Sequence, residues 1–391
     1  MNHLDCQRDL FSLEPGLHYL NCAFMAPISN QVSLAARTAL EKLQTPSQLG
    51  PEDFFNQSNK VRQLFARLIG VETSQRVAIV PSVSYAMATI AKNSRIQSSE
   101  NVVIVSEQFP SNVYTWKRAC EKTGAELRTV SPPKTTNNRG QDWNEALLDA
   151  IDTKTAMVAI PELHWTDGTR FNLDHIGRRA HECGALFVLD GTQSIGALPF
   201  SIFDTQADAV VCAGYKWLLG PYSIGLAYYG PAFDNGVPLE ENWITRMGSE
   251  EFSSLVRYTD IYQPGSIRYD VGERSNFLLL PMLQAGLNHV IDWGPSLIQD
   301  YCQRISNQAV NELRELGCSI EAEHARAAHL FGVRLPPKTA LGGLADRFRA
   351  HKVSTSLRGT AIRVSPHVYN NAEDISALVA AVREEIVGHT S

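Results

Sequence analysis

Asp190, Gln193 and Lys216 are the residues whose types and spacing are best suited to chemistry. Asp190 ends the apolar run Ala185-Leu186-Phe187-Val188-Leu189, and Gln193 follows three positions later. Lys216 lies 26 positions beyond Asp190, in Gly214-Tyr215-Lys216-Trp217-Leu218-Leu219-Gly220-Pro221. An amine can hold an aldehyde as a Schiff base, and a carboxylate can keep a pyridine nitrogen protonated so that the ring becomes an electron sink. An amide beside such a ring can bond its phenolic oxygen. Together these are the needs of pyridoxal 5'-phosphate. The rings of Tyr215 and Trp217 would desolvate Lys216 and favour the neutral amine that imine formation requires. Taken singly, each residue has a plainer alternative: an exposed loop lysine, a carboxylate capping a strand-end turn, an ordinary loop glutamine. The ordered set points to the cofactor.

The phosphate needs a cluster of amides, and Pro81-Ser82-Val83-Ser84-Tyr85 follows an apolar run and opens an amphipathic stretch. Free N–H groups at a helix start, the helix dipole and the hydroxyls of Ser82 and Ser84 all favour an anion. A simple N-cap would use the same serines. Phe109, after Val102–Val105, can stack on a flat ring or serve as a core aromatic. Arg363 closes a short β-rich run before Val364-Ser365-Pro366-His367. Its planar fork suits a carboxylate, with a surface ion pair as the alternative.

Asp190-Gly191-Thr192-Gln193-Ser194-Ile195-Gly196-Ala197-Leu198-Pro199 together with Gly214–Pro221 resembles the class V aminotransferase family. That family includes cysteine desulfurases, kynureninases and isopenicillin N epimerase-like enzymes. The resemblance runs from Tyr19-Leu20-Asn21-Cys22-Ala23 to Arg363–Asp374, which places Asn21 among the substrate-binding candidates. It implies a fold-type I pyridoxal phosphate enzyme with Lys216 and Asp190 catalytic. Gln193, Ser82, Val83, Ser84, Phe109 and Tyr215 would surround the cofactor, and Arg363 would grip the substrate α-carboxylate. Desulfurases carry a histidine where Phe109 stands, and the Phe-Pro-Ser-Asn arrangement is more similar to kynureninase. Phenylalanine cannot shuttle a proton, so Lys216 would carry the acid–base work alone. Desulfurases place an asparagine near Glu162; a glutamate there would repel a carboxylate unless protonated, turned away, or paired with Arg170 or Arg363. His164 is a further substrate-side candidate, as part of a His164-Trp165 pair that either faces the site or packs. The stretch Gly265–Asn276 resembles a segment that reaches the neighbouring subunit's phosphate, which implies a homodimer with Arg274 or Ser275 as the crossing residue; Ser275 is equally an N-cap. Arg246, in a loop over 243–249, is a candidate for recognising an acidic substrate group.

The nucleophilic cysteine of cysteine desulfurases lies about fifteen residues before the carboxylate arginine, and Leu344–Lys352 holds none. Persulfide sulfur transfer is therefore not expected. The leading expectation is an aminotransferase acting on an amino acid and a keto acid. A kynureninase-like or other lyase is the alternative, then an epimerase. A catalytically silent binding or regulatory protein is opposed by the intact Lys216, Asp190 and Arg363. A nicotinamide enzyme is opposed by the lack of Gly-x-Gly-x-x-Gly after any expected strand.

The elements that must position these residues alternate. Strands are expected over 77–80, 102–105, 156–160, 186–189, 209–213 and 224–229, with helices over 85–92, 112–123, 144–151 and 173–182. Such repetition implies an α/β fold with a parallel sheet and sites beyond its carboxyl ends. After about residue 263 the pattern becomes α+β: helices over 275–293, 296–316 and 374–386, strands over 331–335, 353–357 and 361–364. The expected organisation is an N-terminal segment 1–20 packing with the small domain, a large cofactor-binding domain over 21–264, and a small domain over 265–391. A net charge of −6 over 391 residues gives no electrostatic footprint for nucleic acid. The seven cysteines are scattered without metal-ligand spacing, and free thiols suit a reducing compartment. No apolar run approaches bilayer length, so the default is a cytoplasmic protein bound to no membrane.

Overall fold

The computed structural model describes residues 3–134, 138–337, 339 and 341–388. Its centre is a seven-stranded sheet built from β2 (Val77–Val80), β3 (Asn101–Val105), β4 (Glu126–Val130), β5 (Thr155–Pro161), β6 (Leu186–Asp190), β7 (Ala209–Ala213) and β8 (Gly225–Tyr229). The first strand of the chain, β1 (His18–Tyr19), lies elsewhere. The sheet order is β2-β8-β7-β6-β5-β3-β4, and β8 alone runs antiparallel to its neighbours. Residues alternate between two apolar layers. Val103, Val158, Ile160, Phe187 and Leu189 face one core, while Val102, Ile104, Met157, Ala159 and Val188 face the other. Burial on both faces explains why these strands read as continuous apolar runs.

One face is covered by α2 (Asp53–Ile69), α5 (Arg139–Asp149) and α6 (Leu173–Glu182), the other by α3 (Val83–Asn93) and α4 (Tyr114–Thr123), with a short α7 (Ile202–Thr205) before β7; α1 (Asn30–Leu43) packs on the later helix Leu279–Trp293. The helix α8 (Leu279–Trp293) sends Leu280, Leu283 and Leu287 into the core of the large sheet. It therefore packs with the large unit although it follows residue 264, the expected boundary. Gly294, at φ +77°, turns the chain into α9 (Pro295–Glu315), whose first residue is a proline.

The smaller unit is a three-stranded antiparallel sheet in the order β11-β12-β9, from β9 (Phe331–Val333), β11 (Ser356–Arg358) and β12 (Ala361–Val364), packed with α9, α10 (Leu344–Ala350) and α11 (Ala372–Gly388). The single expected strand 353–357 is two strands: β10 (Val353–Ser354) leaves the sheet to pair in parallel with β1. Asp374 ties the N-terminal segment down by accepting from Arg8 and pairing with His18. No helix among the described residues is long and apolar enough to cross a membrane.

Candidate active site

Every parallel strand that contributes to the site does so at its carboxyl end. Pro81 follows β2, Gln108 and Phe109 follow β3, Pro161 ends β5, Asp190 ends β6 and Ala213 ends β7. These residues line one cavity of about 300 Å³, together with the segment Tyr215-Lys216. The antiparallel β8 adds the residues before its start, Tyr222, Ser223 and Ile224.

The lysine is held by a tight loop. The Gly220 N–H donates to Gly214 O at 2.8 Å and Leu219 N–H to Lys216 O at 3.0 Å, with Leu219 in the left-handed region at φ +54°. Gly196 lies against this loop at φ +105°, and a Cβ there would sit 2.3 Å from Trp217 O. Lys216 is 5% exposed, with Nζ 5.4 Å from the Phe109 ring centre and 5.5 Å from that of Tyr215. Burial lowers its amine from the ordinary 10.5 to about 8, with Asp190 pulling the other way. Asp190 is also buried, and its Oδ1 accepts from the Thr192 N–H at 3.0 Å. Burial pushes its carboxyl up, opposed by Thr192 and Lys216.

Gln193 is fixed at both ends. Its Oε1 accepts from Trp217 Nε1 at 3.0 Å and its Nε2 donates to Ala23 O at 3.2 Å, which leaves a second N–H on that amide. At the opposite wall Ser82 caps α3 by accepting from Tyr85 N at 3.1 Å, and its hydroxyl meets that of Ser84 at 3.0 Å. Val83 and Ser84 thus sit in the first turn of α3, where N–H groups lack intrahelical partners. These features fit pyridoxal phosphate: a desolvated amine, a buried carboxylate, a free amide N–H and a helix start share one cavity.

Arg363 is 1% exposed. Its Nη1 donates to Trp165 O at 3.0 Å, while Nε and Nη2 have no hydrogen-bond partner among the described residues. Burial and then Arg358 lower its guanidinium from 12.5 to about 10. Arg363 also contributes to the lowered Lys216 amine, so it lies within electrostatic reach of the lysine. An orphaned bidentate edge on a buried cation is a site for a carboxylate.

Several expected residues point elsewhere. Glu162 turns from the cofactor cavity into a second cavity of about 730 Å³ and meets Arg170 at 3.4 Å, because successive side chains at the end of β5 alternate in direction and it is Pro161 and Leu163 that face the lysine. His164 is wholly buried between Thr166 Oγ1 at 2.7 Å and Ser106 O at 3.0 Å, against the Trp143 ring; it packs rather than binds. Asn21 does not line the cavity either. It accepts from Ser356 Oγ at 2.9 Å and so braces the hairpin that carries Arg363. Arg274 is buried and pairs with Asp270, which also holds Arg62 and the Ile79 N–H; Ser275 donates to Phe54 O. Both are engaged within their own chain. Arg246 pairs with Glu241 and stacks on Tyr262, away from the site.

The structure separates the His164-Trp165 pair and adds residues that the sequence left unassigned. Trp165, the partner of His164 in that doublet, lines the cavity with its ring edge-on to Phe109 at 5.4 Å. Thr192 holds Asp190, a role readable from the Asp-x-Thr spacing. Tyr222 packs against Tyr215 with ring centres 4.6 Å apart and planes tilted by 56°. No cysteine lines the cavity, and Cys318 sits in the turn between α9 and β9 with burial pushing its thiol up to about 11.

The sequence model for class-V aminotransferases matches residues 46–336. The uncharacterized aminotransferase YcbU of Bacillus subtilis (strain 168) is 24% identical over 316 residues, 80% of this chain and 80% of that protein. A cysteine desulfurase of Escherichia coli O8 (strain IAI1) is 25% identical over 315 residues, 78% of this chain and 72% of that one. Among solved structures, apo cysteine desulfurase from Thermococcus onnurineus NA1 superposes with a TM-score of 0.81 at 17% identity, covering 99% of this chain and 100% of its own.

Proposed function

This chain belongs to the class-V aminotransferase family, a group of pyridoxal phosphate enzymes of fold type I, and we propose that it is an aminotransferase which takes the amino group from an amino acid and passes it to a keto acid. The observation that carries this reading is the free Nε–Nη2 edge of buried Arg363, within electrostatic reach of Lys216 and suited to an α-carboxylate.

When bound, the cofactor supplies an electron sink for the bond broken at the substrate α-carbon. The chain's own residues do the rest. Arg363 would orient the carboxylate, Asp190 would keep the proton on the ring nitrogen, and Gln193 would offer its remaining N–H to the phenolic oxygen. Val83 and Ser84 bind phosphate through the start of α3, with the hydroxyls of Ser82 and Ser84 beside them. Lys216 Nζ would hold the cofactor and would be the base that moves the substrate α-proton; with its amine lowered to about 8 it is a competent base near neutral pH. Phe109 offers a face to the ring and no proton, so Lys216 acts alone. A sulfurtransferase reading has no thiol in the cavity to support it.

Apolar side chains exposed on and before α1 (Ile28, Leu34, Leu40) and in the loop 243–261 (Val256, Tyr258, Ile261) support a homodimer as the active unit. Light scattering would test this by returning twice the mass of the chain. The reaction itself is tested by titrating the loaded protein with single amino acids and no acceptor. One keto acid per active site, matched by loss of the cofactor's aldehyde absorbance, is the expected result. Product accumulating over many turnovers with that absorbance retained would identify a lyase or epimerase instead.

A further inference from the structure

We propose that Arg358 is a second anion-recognising residue of this site, and that the amino acids it favours carry an acidic group on the side chain. The inference rests on the reading of Arg363 as the α-carboxylate residue.

Strand pairing sets the geometry. In the β11–β12 hairpin Ser356 lies opposite Arg363 and Arg358 opposite Ala361. Directly opposed residues share a face of the sheet, as do residues two apart on one strand, so Arg358 and Arg363 are diagonal neighbours on the same face. Both reach the same indole: the guanidinium carbons lie 5.4 Å (Arg358) and 5.9 Å (Arg363) from the ring centre of Trp165. That indole is fixed by its Nε1 bond to Glu107 O at 2.7 Å and by its edge contact with Phe109, and it lines the cofactor cavity.

Neither arginine has an acidic partner among the described residues. Arg358 donates from Nη1 to Leu357 O, while its Nε is buried without a partner. Two guanidinium groups crowded on one ring repel each other, and Arg358 is one cause of the lowered Arg363 guanidinium. A single carboxylate on the Nε–Nη2 edge of Arg363 neutralises one charge and leaves the other. A substrate with a second anionic group answers both, with the indole they share as a flat apolar support for its methylene stem. Arg246, the residue that the sequence offered for this task, is consumed by Glu241.

The test is a spectral titration of the pyridoxal phosphate-loaded protein with L-aspartate and L-glutamate against their uncharged isosteres L-asparagine and L-glutamine. The half-saturating concentration is read from the change in cofactor absorbance. The expected result is at least tenfold tighter saturation by one of the acids than by its amide, and loss of most of that preference in Arg358→Gln. Equal saturation by acid and amide in the unmodified protein overturns the proposal without needing any variant, and leaves the α-carboxylate reading of Arg363 intact. A preference that survives Arg358→Gln assigns acid recognition elsewhere and overturns it too. If none of the four perturbs the cofactor while another amino acid does, this inference is overturned and the aminotransferase reading stands; if no amino acid at all perturbs it, both fall.

Discussion

Lys216 and Arg363 are both buried, and burial leaves them in different charge states. Desolvation makes the lysine partly neutral, whereas the arginine stays charged and lacks an anion. The sign of the pH effect follows for the lysine. With the amine lowered to about 8, the reactive free base at pH 7 is about a tenth of the population, against well under a thousandth for an ordinary lysine. The rate at which apo-protein captures pyridoxal phosphate should therefore rise toward pH 8 and level off above it. Stopped-flow absorbance against pH measures this, and a rate still climbing about tenfold between pH 8 and pH 9 would mean an unshifted amine. Lys216→Ala should leave no borohydride-fixed adduct by mass spectrometry, and an adduct that persists assigns the linkage to another lysine. For Arg363→Ala, loss of a charged pair costs about 2–5 kcal/mol, so kcat/KM should fall roughly 30-fold to several thousand-fold, mostly through KM. Arg363→Lys should restore little, since an ammonium lacks the parallel fork. Kinetics unchanged in both variants would make Arg363 a support for the hairpin.

At the scale of elements, the site depends on turns that admit little substitution. Gly196 holds φ +105° with the Trp217 carbonyl where a Cβ would go. Gly196→Ala must push the lysine loop away, with an expected loss of about 1–3 kcal/mol and weaker cofactor retention. Thermal melting of the apo-protein and the cofactor Kd measure the two parts; a variant matching the parent in both would show that the loop yields freely. Ser82→Ala removes the cap of α3, costing about 1 kcal/mol and one phosphate-side hydroxyl. The alternating pattern made most of these elements legible. The expected strand 209–213 and helix 173–182 match the observed spans, because apolar periodicity and caps fix them locally. The strand β4 was not legible: it is an edge strand, and of Glu126–Val130 only Val130 is buried.

At the scale of the molecule, the N-terminal segment crosses to the small sheet. The strand β1 pairs with β10, Arg8 and His18 hold Asp374, and Asn21 bonds Ser356 opposite Arg363. Removal of residues 3–17 deletes the Arg8 contact while leaving β1. The expected outcome is a lower melting temperature together with a raised KM for amino acids and little change in cofactor affinity, because the loosened part carries Arg363 and not Lys216. Cofactor affinity falling in parallel with KM would show that the two units respond as one.

The amino-acid sequence by itself determined the chemistry-bearing set at strand ends: Asp190, Gln193, Lys216, the Ser82-Val83-Ser84 turn and Phe109. These positions follow from short-range pattern, and the carboxyl edge of a parallel sheet brings them together without further instruction. Only the tertiary structure decided what Glu162, His164, Asn21, Arg246, Arg274 and Ser275 do, because His164, Asn21 and Ser275 meet partners remote in sequence, and Glu162, Arg246 and Arg274 turn toward nearby partners instead of the cavity. Arg170 takes Glu162, Ser106 takes His164, Ser356 takes Asn21, Glu241 takes Arg246, Asp270 takes Arg274 and Phe54 takes Ser275. The same holds for Arg358 and Trp165: a hairpin register and a strand-end turn from opposite parts of the chain place two cations on one indole, and no spacing along the chain encodes that meeting.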